Sequence, residues 1–225
     1  MIIYLYKIIK SIFLYFRLIR ILIYKFHPNF SKFKIFQKLN LNKNSIFIDI
    51  GGNQGIISQY IRDFFNCKIL IYEPHPGCIK VIKKKFQDDK DVLIKKYAVS
   101  NNNGYSKLYL HSKSKSKYDI SFAQSSTLNK KKQNIDKNKF ILVKTINIKN
   151  IIDSFKYIDV IKIDIEFHEY EILPEIFKKQ NKIGKIFCEF HGSKKKYKHL
   201  KKKYEYWKKK LIRNNLYGRK FIEWS

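Results

Sequence analysis

Short apolar runs alternate with polar breaks along this chain, in the pattern of strands and helices that follow one another. The runs Ile46–Ile50, Ile69–Tyr72 and Val92–Val99 are rich in β-branched and aromatic residues, as is typical of buried strands. Between the first two runs, residues 56–61 have the spacing of a helix that buries one face. This alternation predicts an α/β fold with a mostly parallel sheet.

Further runs extend this pattern towards the C-terminus. Residues 160–166 and 185–191 are predicted as the fourth and fifth core strands, and residues 221–224 as a last strand. Residues 105–110 alternate in polarity and predict a strand of an added hairpin, and residues 140–148 return to strand character. The segment between them, residues 112–139, is rich in Ser, Lys, Asn and Gln. It predicts a mobile loop of the kind that closes over a substrate.

The first strand leads into a glycine-rich turn, Asp49–Gly55, and a helix follows it. Glycine lets the backbone approach a ligand, and the free N–H groups at a helix start favour a negative group. Glu73 ends the second strand, where a carboxylate can accept hydrogen bonds from ribose hydroxyls, although a plain surface glutamate is the alternative. Together these features predict an adenosine-containing cofactor. The absence of phosphate-binding signatures favours S-adenosylmethionine over NAD.

Charged residues occupy the ends of the fourth and fifth strands. In the fourth strand Lys162, Asp164 and Glu166 alternate, so the period of two predicts that they share one face. Such charges are costly to bury unless they are paired or used. A Lys162–Asp164 ion pair is the structural explanation, and a site at the carboxyl ends of the strands is the functional one. Glu189 and His191 end the fifth strand in the same way, which favours the site.

Composition adds three expectations. With 225 residues and 44% hydrophobic content, the chain can bury one substantial core. We therefore predict a catalytic domain at residues 41–225, preceded by a basic amphipathic helical appendage at residues 1–40. The net charge of +30 comes mainly from lysine, as an AT-rich coding sequence also produces, so we do not favour a nucleic acid as partner. Three cysteines without the spacing of a zinc site are typical of a reducing cytoplasm.

The N-terminal segment, residues 1–26, is apolar but repeatedly interrupted by basic residues that fall on one half of a helix. These charges break any run long enough to span a bilayer, and they also break up a signal-peptide core. Such a helix is expected to lie on an anionic membrane at the cytoplasmic face, or to pack on its own domain or on a second subunit. The pattern does not distinguish these. The basic residues are Lys7, Lys10, Arg17, Arg20 and Lys25.

Six short motifs, taken in their order and spacing, resemble the FkbM-type S-adenosylmethionine-dependent methyltransferases. The resemblance implies a Rossmann-like class I methyltransferase fold, with a mostly parallel seven-stranded sheet and helices on both faces. Its strand order would be 3-2-1-4-5-7-6, with strand 7 antiparallel. It also implies methyl transfer to a hydroxyl oxygen, often on a sugar of a glycan or glycoconjugate. The motifs are Phe47–Gly55, Tyr72–Pro76, Ala98–Ser100, Ser125–Leu128, Ile161–Glu169 and Cys188–His191.

The resemblance assigns roles residue by residue. Glu73 would hold the ribose, and residues of the glycine turn would border the methionine part of the cofactor. As general base, which removes the hydroxyl proton, we predict Glu166 or His191, with Asp164 and Glu189 orienting the acceptor or the base and Lys162 beside them. Phe167 stands where the family usually has glycine, a departure that bears on the acceptor pocket. The full set of predicted cofactor-binding residues is Asp49, Gly51, Gly52, Asn53, Gly55, Glu73, Pro74 and Ala98.

Three alternatives stay open. A divalent cation held by Asp164, Glu166 and Glu189 is conceivable, but we predict no metal site. An RNA ribose 2′-O-methyltransferase is a second function, because Lys162, Asp164 and Glu166 loosely resemble the residue set of such enzymes. A non-catalytic membrane-surface or scaffolding protein on the same fold is a third. The acceptor and the oligomeric state are not indicated by the sequence.

Overall fold

The computed structural model describes residues 19, 22, 24, 33–194 and 197–224. Its strands are β1 (Ile46–Ile50), β2 (Lys68–Tyr72), β3 (Val92–Lys95), β4 (Ala98–Ser100), β5 (Gly104–His111), β6 (Ile135–Asn147), β7 (Ile158–Ile163), β8 (Ile183–Cys188) and β9 (Phe221–Glu223). Its α-helices are α1 (Ile56–Phe65), α2 (Pro76–Lys85), α3 (Ile148–Asp153), α4 (Glu169–Lys178) and α5 (Lys201–Arg213).

The centre of the fold is a sheet in the order β3-β2-β1-β7-β8-β9, in which every pair of neighbouring strands is parallel. Parallel neighbours need a crossover connection, and helices supply it here. Helices α1 and α2 pack on one face, against side chains such as Phe47 and Ile69. Helices α3, α4 and α5 pack on the other face, against Ile48 and Ile161. The predicted α/β fold with a mostly parallel sheet and helices is confirmed.

Three details of the predicted sheet differ. In the part of the chain that the structure describes, the central sheet has six strands, and seven are not confirmed. The last strand, β9, runs parallel to β8 rather than antiparallel, because the chain between them crosses over through α5. The predicted third strand, Val92–Val99, is divided between two sheets: β3 joins the central sheet and β4 joins a second one.

The second sheet has the order β4-β6-β5, with β5 antiparallel and β4 parallel to β6. Strand β6 begins at Ile135, so the end of the predicted loop 112–139 is strand. The middle of that loop is also tied down, because Tyr109 and Thr127 exchange backbone hydrogen bonds of 2.8 and 3.1 Å. Part of this loop therefore lies against β5, and its residues 123–134 contribute to the wall of a cavity.

The N-terminal segment lies mostly outside the described residues, and so does the predicted amphipathic helix of residues 1–26, apart from residues 19, 22 and 24. Phe33 and Phe36 are buried. Phe33 stacks on Tyr60 at 4.7 Å between ring centroids, and Phe36 packs on Phe187 at 4.6 Å. The division at residues 40 and 41 stays a prediction. Among the described residues, no helix combines the length and the apolar character needed to cross a membrane.

Candidate functional site

A cavity of ≈ 410 Å³ opens at the carboxyl ends of the central strands. Open parallel sheets bind their ligands at this edge, and a small-molecule site commonly has about 300–1,000 Å³. The glycine turn and the end of β2 form one half of the wall. The loop after β7, the end of β8 and the segment 123–134 form the other half. Of the predicted site residues, those that line the cavity are Gly51, Asn53, Glu73, Pro74, Ala98, Asp164, Glu166, Glu189 and His191.

The glycine turn is held against the end of β7. Gly51 has φ +78°, and a Cβ at this position would lie 1.9 Å from the carbonyl oxygen of Asp164. A Cβ on Gly52 would meet the Ile71 side chain at 2.2 Å. Both glycines therefore permit close packing of neighbouring strand ends, which brings the turn and Asp164 into one wall. Gly52 and Gly55 do not themselves line the cavity.

Asp49 and Lys162 stand side by side on β1 and β7 and lie outside the cavity lining. Asp49 is fully buried, and its carboxylate is 2.9 Å from the Lys162 ammonium. It also accepts a hydrogen bond of 2.7 Å from the Ser58 hydroxyl. Lys162 in turn donates to the carbonyl oxygen of Gly51 at 2.7 Å. Burial alone would lower the pKa of Lys162, but Asp49 raises it, so the ammonium stays charged.

Within the described part of the chain, Lys162 forms two ion pairs. The predicted one, with Asp164, is longer, at 3.9 Å, than the one with Asp49, at 2.9 Å. Lys162 and Asp49 thus act together as a support for the glycine turn, and neither side chain reaches the cavity.

Glu73 links the glycine turn to the segment that follows β2. One carboxylate oxygen accepts a hydrogen bond of 2.7 Å from the backbone N–H of Asn53, and the other accepts one of 2.7 Å from His75. The side chain lines the cavity although the residue is only 6% exposed. Burial raises the pKa of Glu73 to about 7, with the two N–H groups opposing the shift. Each oxygen keeps a second lone pair for a ligand.

The loop after β7 has an unusual backbone. The strand ends at Ile163, so the alternation predicted for Asp164 and Glu166 does not apply; both belong to the loop. Glu166 has φ +44° and Phe167 has φ +77°, a region that bulky residues rarely occupy. Strain of this kind persists only where the surroundings impose it. Here the Thr127 hydroxyl donates to the carbonyl oxygen of Glu166.

Phe167 is the position at which the resemblance implied a departure from the family's usual glycine. Its side chain is turned away from the cavity. It is 2% exposed and does not line the cavity. Its ring instead stacks on His191, with 5.2 Å between centroids, and on His199, at 5.5 Å. The departure from the family pattern therefore supports the His191 ring rather than narrowing the cavity.

Glu166 and His191 form a charged pair inside a larger cluster. His191 Nε2 is 3.3 Å from Glu166, and His191 Nδ1 is 3.3 Å from Glu169. Burial alone would lower the pKa of His191, but these two carboxylates raise it to about 10. Burial would raise the pKa of Glu166, but His191 and the Lys132 ammonium, 2.6 Å away, lower it to about 2. Both groups are therefore charged at neutral pH.

Asp164 has different surroundings. Its side chain is 27% exposed at the cavity, and burial raises its pKa to about 7. The carboxylates of Glu189 and Glu166 add to this shift, while Lys162 opposes it. Glu189, although buried, has a lowered pKa because Lys194 hydrogen-bonds to it. Of the three acidic side chains in this half of the cavity, Asp164 is the one poised to exchange a proton near neutral pH.

Three residues of this cluster were not predicted. Lys132 is 4% exposed. Besides its ion pair with Glu166, it donates a hydrogen bond of 2.8 Å to the carbonyl oxygen of Ser125. Glu169 is fully buried and accepts a hydrogen bond of 3.0 Å from the backbone N–H of His191. Lys194 pairs with Glu189. Lys132 lies in a run of three lysines, and Glu169 resembles an ordinary acidic residue in the first turn of a helix. No sequence signal therefore separates these two from surface residues.

The ligand atoms of Asp164, Glu166 and His191 lie within 4.8 Å of one another, close enough to share one cation. The predicted alternative used Glu189 in place of His191, but Glu189 is paired with Lys194. A divalent cation at this place would compete with the Lys132 ammonium for Glu166 and with the proton on His191.

Comparison with known families gives one match. The family described as the methyltransferase FkbM domain matches residues 49–211, which include every residue that lines the cavity. This confirms the resemblance carried by the six motifs. No curated protein matches the chain significantly.

Proposed function

Because the chain belongs to the FkbM methyltransferase family, we propose that it transfers a methyl group from S-adenosylmethionine to a hydroxyl oxygen, on a sugar of a glycan or glycoconjugate. The family makes the chain a methyltransferase with S-adenosylmethionine as its methyl donor. One observation supports the hydroxyl acceptor: Asp164 lies in the cavity with a pKa of about 7. A base tuned in this way is what a weak nucleophile such as a sugar hydroxyl requires.

The cofactor half of the cavity fits an adenosine sulfonium. Glu73 offers two carboxylate oxygens that are already oriented by Asn53 and His75, and these are suited to the ribose hydroxyls. Gly51 and Asn53 line the same wall, on the side of Asp164, and would border the methionine part. Pro74 and Ala98 complete this half. When bound, the cofactor supplies an electrophilic methyl group; the protein aligns the acceptor oxygen with it.

In the acceptor half, Asp164 takes the proton of the hydroxyl. Glu166 and His191, the bases favoured by the sequence, are less suited to this role. A carboxylate with a pKa of about 2 is a weak base, and a doubly paired imidazolium has no free lone pair. We assign to them the orientation of the acceptor, with Lys132 and Lys194 holding Glu166 and Glu189 in place.

The first prediction concerns pH. The base form of Asp164 is the deprotonated one, so kcat should rise with pH through about 7 and fall below it. Between pH 6 and 8 the deprotonated fraction of such a group goes from about one-tenth to about nine-tenths. The measurement is methyl transfer at saturating cofactor across this range. If Glu166 were the base, with a pKa of about 2, the profile would be flat there instead.

The second prediction concerns Glu73. In Glu73→Gln an amide NH2 would face a backbone N–H that now donates to a carboxylate, and the ribose would lose an acceptor. We expect the Kd for S-adenosylmethionine to rise by about 10–100-fold. Isothermal titration calorimetry measures it, with Glu171→Gln as control, because that side chain is 41% exposed and pairs with Lys203. An unchanged Kd in Glu73→Gln would remove Glu73 from the cofactor site.

The acceptor itself is tested by transfer of labelled methyl to a panel of glycans and RNA. We expect label in glycans, at a rate that depends weakly on salt. The high positive charge gives the RNA alternative its support. That alternative predicts label in RNA and an affinity that falls steeply as salt rises.

A further inference from the structure

The second sheet presents one face to the cavity side and one to solvent. Strands β5 and β6 pair in the register Tyr105–Lys144, Lys107–Leu142 and Tyr109–Phe140. Because side chains alternate along a strand, these paired residues share one face. We call this set of six side chains the β5–β6 outer face. On the opposite face, Leu108 is buried and lines the cavity.

The β5–β6 outer face is unusually apolar for an exposed surface. Leu142 is 63% exposed, Tyr105 65% and Phe140 43%. Single exposed apolar residues are ordinary on a soluble protein, but large ones clustered on one flat face indicate an interaction site. The Lys107 ammonium lies 4.1 Å from the Phe140 ring centroid, so the positive charge and the apolar surface are in direct contact.

The chain around this face is rich in lysine and poor in acidic residues. Residues 92–118 contain no Asp or Glu and six lysines. Residues 137–152 contain no Asp or Glu and four lysines. The first stretch includes all of β5, and the second includes β6 from Lys137 on. Asp136, near the start of β6, lies 4.0 Å from the Lys139 ammonium, and the chain as a whole has a net charge of +30. A second copy of the chain would be repelled by this charge, and an anionic partner would be attracted.

We propose that the β5–β6 outer face docks on an anionic phospholipid membrane. Lysines beside an anionic leaflet contribute attraction, and Leu142, Phe140 and Tyr105 add apolar area that can enter the interface. Lipid fits better than RNA. Neither strand supplies an arginine to this face, and Leu142 at its centre adds exposed aliphatic area that suits lipid. The face is separate from the cavity, so docking leaves the methyltransferase site unchanged.

The test uses the full chain and two charge-matched variants. Leu142→Glu places a carboxylate on the outer face, and Leu93→Glu makes the same change at a 51% exposed strand position in β3. Each is mixed with vesicles of phosphatidylcholine alone, or of phosphatidylcholine with about 30% phosphatidylserine, and sedimented. We expect wild type and Leu93→Glu to bind the anionic vesicles only, and Leu142→Glu to bind them about tenfold more weakly.

Several outcomes would overturn the proposal. One is equal binding by Leu142→Glu and wild type, which would place any lipid contact elsewhere, for example in residues 1–26. Another is an equal loss of vesicle binding in Leu142→Glu and Leu93→Glu, which would show that binding depends on net charge and not on this face. A third is binding of single-stranded RNA that Leu142→Glu abolishes while vesicle binding is unaffected. Circular dichroism melts of both variants establish that they are folded.

Discussion

Asp164→Asn is expected to lower kcat by about 10²–10⁴-fold while the Kd for S-adenosylmethionine stays within about threefold of wild type. Asparagine keeps the shape of the side chain but cannot accept the proton of a hydroxyl. Asp164 is the acidic residue in the acceptor half whose pKa is raised to about 7, by burial first and then by Glu189 and Glu166. Its loss should therefore remove the base and leave the cofactor half, built around Glu73, intact.

The experiment compares kcat from single-turnover methyl transfer with cofactor affinity from calorimetry. Asp153→Asn is the matched control, because Asp153 lies on the surface, paired with Lys149 and Lys179. It should behave as wild type in both measurements. Glu166→Gln provides the decisive comparison. If Glu166→Gln abolishes turnover and Asp164→Asn retains it, the base is Glu166, as the sequence suggested, and our assignment is wrong.

Lys162→Met is expected to destabilise the protein by about 3–5 kcal/mol, because it leaves the Asp49 carboxylate buried without its cation. The ammonium also donates to Gly51, so the glycine turn loses a support. Methionine has a similar length and is apolar, so the packing volume changes little. Chemical denaturation monitored by circular dichroism gives the free energy of unfolding.

A second variant separates the charge effect from packing. In Lys162→Met with Asp49→Asn, the uncompensated charge is gone, so part of the lost stability should return. The free energy of unfolding that the double variant loses should be smaller than the sum of the losses in Lys162→Met and Asp49→Asn. If the free energy of unfolding of Lys162→Met lies within about 0.5 kcal/mol of the wild-type value, the Lys162–Asp49 ion pair contributes little to stability. The turn is then held by its glycines and backbone hydrogen bonds alone.

The strands and the cofactor turn were predictable from the sequence, because both depend on local patterns. A buried parallel strand is a short β-branched run, and β1, β2, β7 and β8 all begin within two residues of their predicted starts. The turn at Gly51 requires a positive φ that glycine adopts freely, and this is visible in the sequence itself. Glu73, which lines the cavity, was predicted from its position directly after a strand.

The partners of the charged residues were not predictable in this way. The sequence offered a Lys162–Asp164 ion pair as one explanation, and this pair is present at 3.9 Å. The shorter contact of Lys162, 2.9 Å to Asp49 on the neighbouring strand, had no signal in the spacing. Lys132 and Glu169, which hold Glu166 and His191 in their charged forms, come from a lysine run and a helix start that have no distinguishing signal. Likewise, the direction of β9 follows from the crossover through α5.

The sequence by itself therefore determined the family and the parallel sheet, and it predicted the edge of the sheet at which the cavity opens. These features follow from residue spacing, glycine positions and the ends of apolar runs, all of which are local patterns. Only the tertiary structure distinguished Asp164, which we propose as the base, from the other carboxylates around it. A pKa depends on burial and on the charges within a few ångströms, and here those charges are brought together from β7, β8, α4 and the loop before β6.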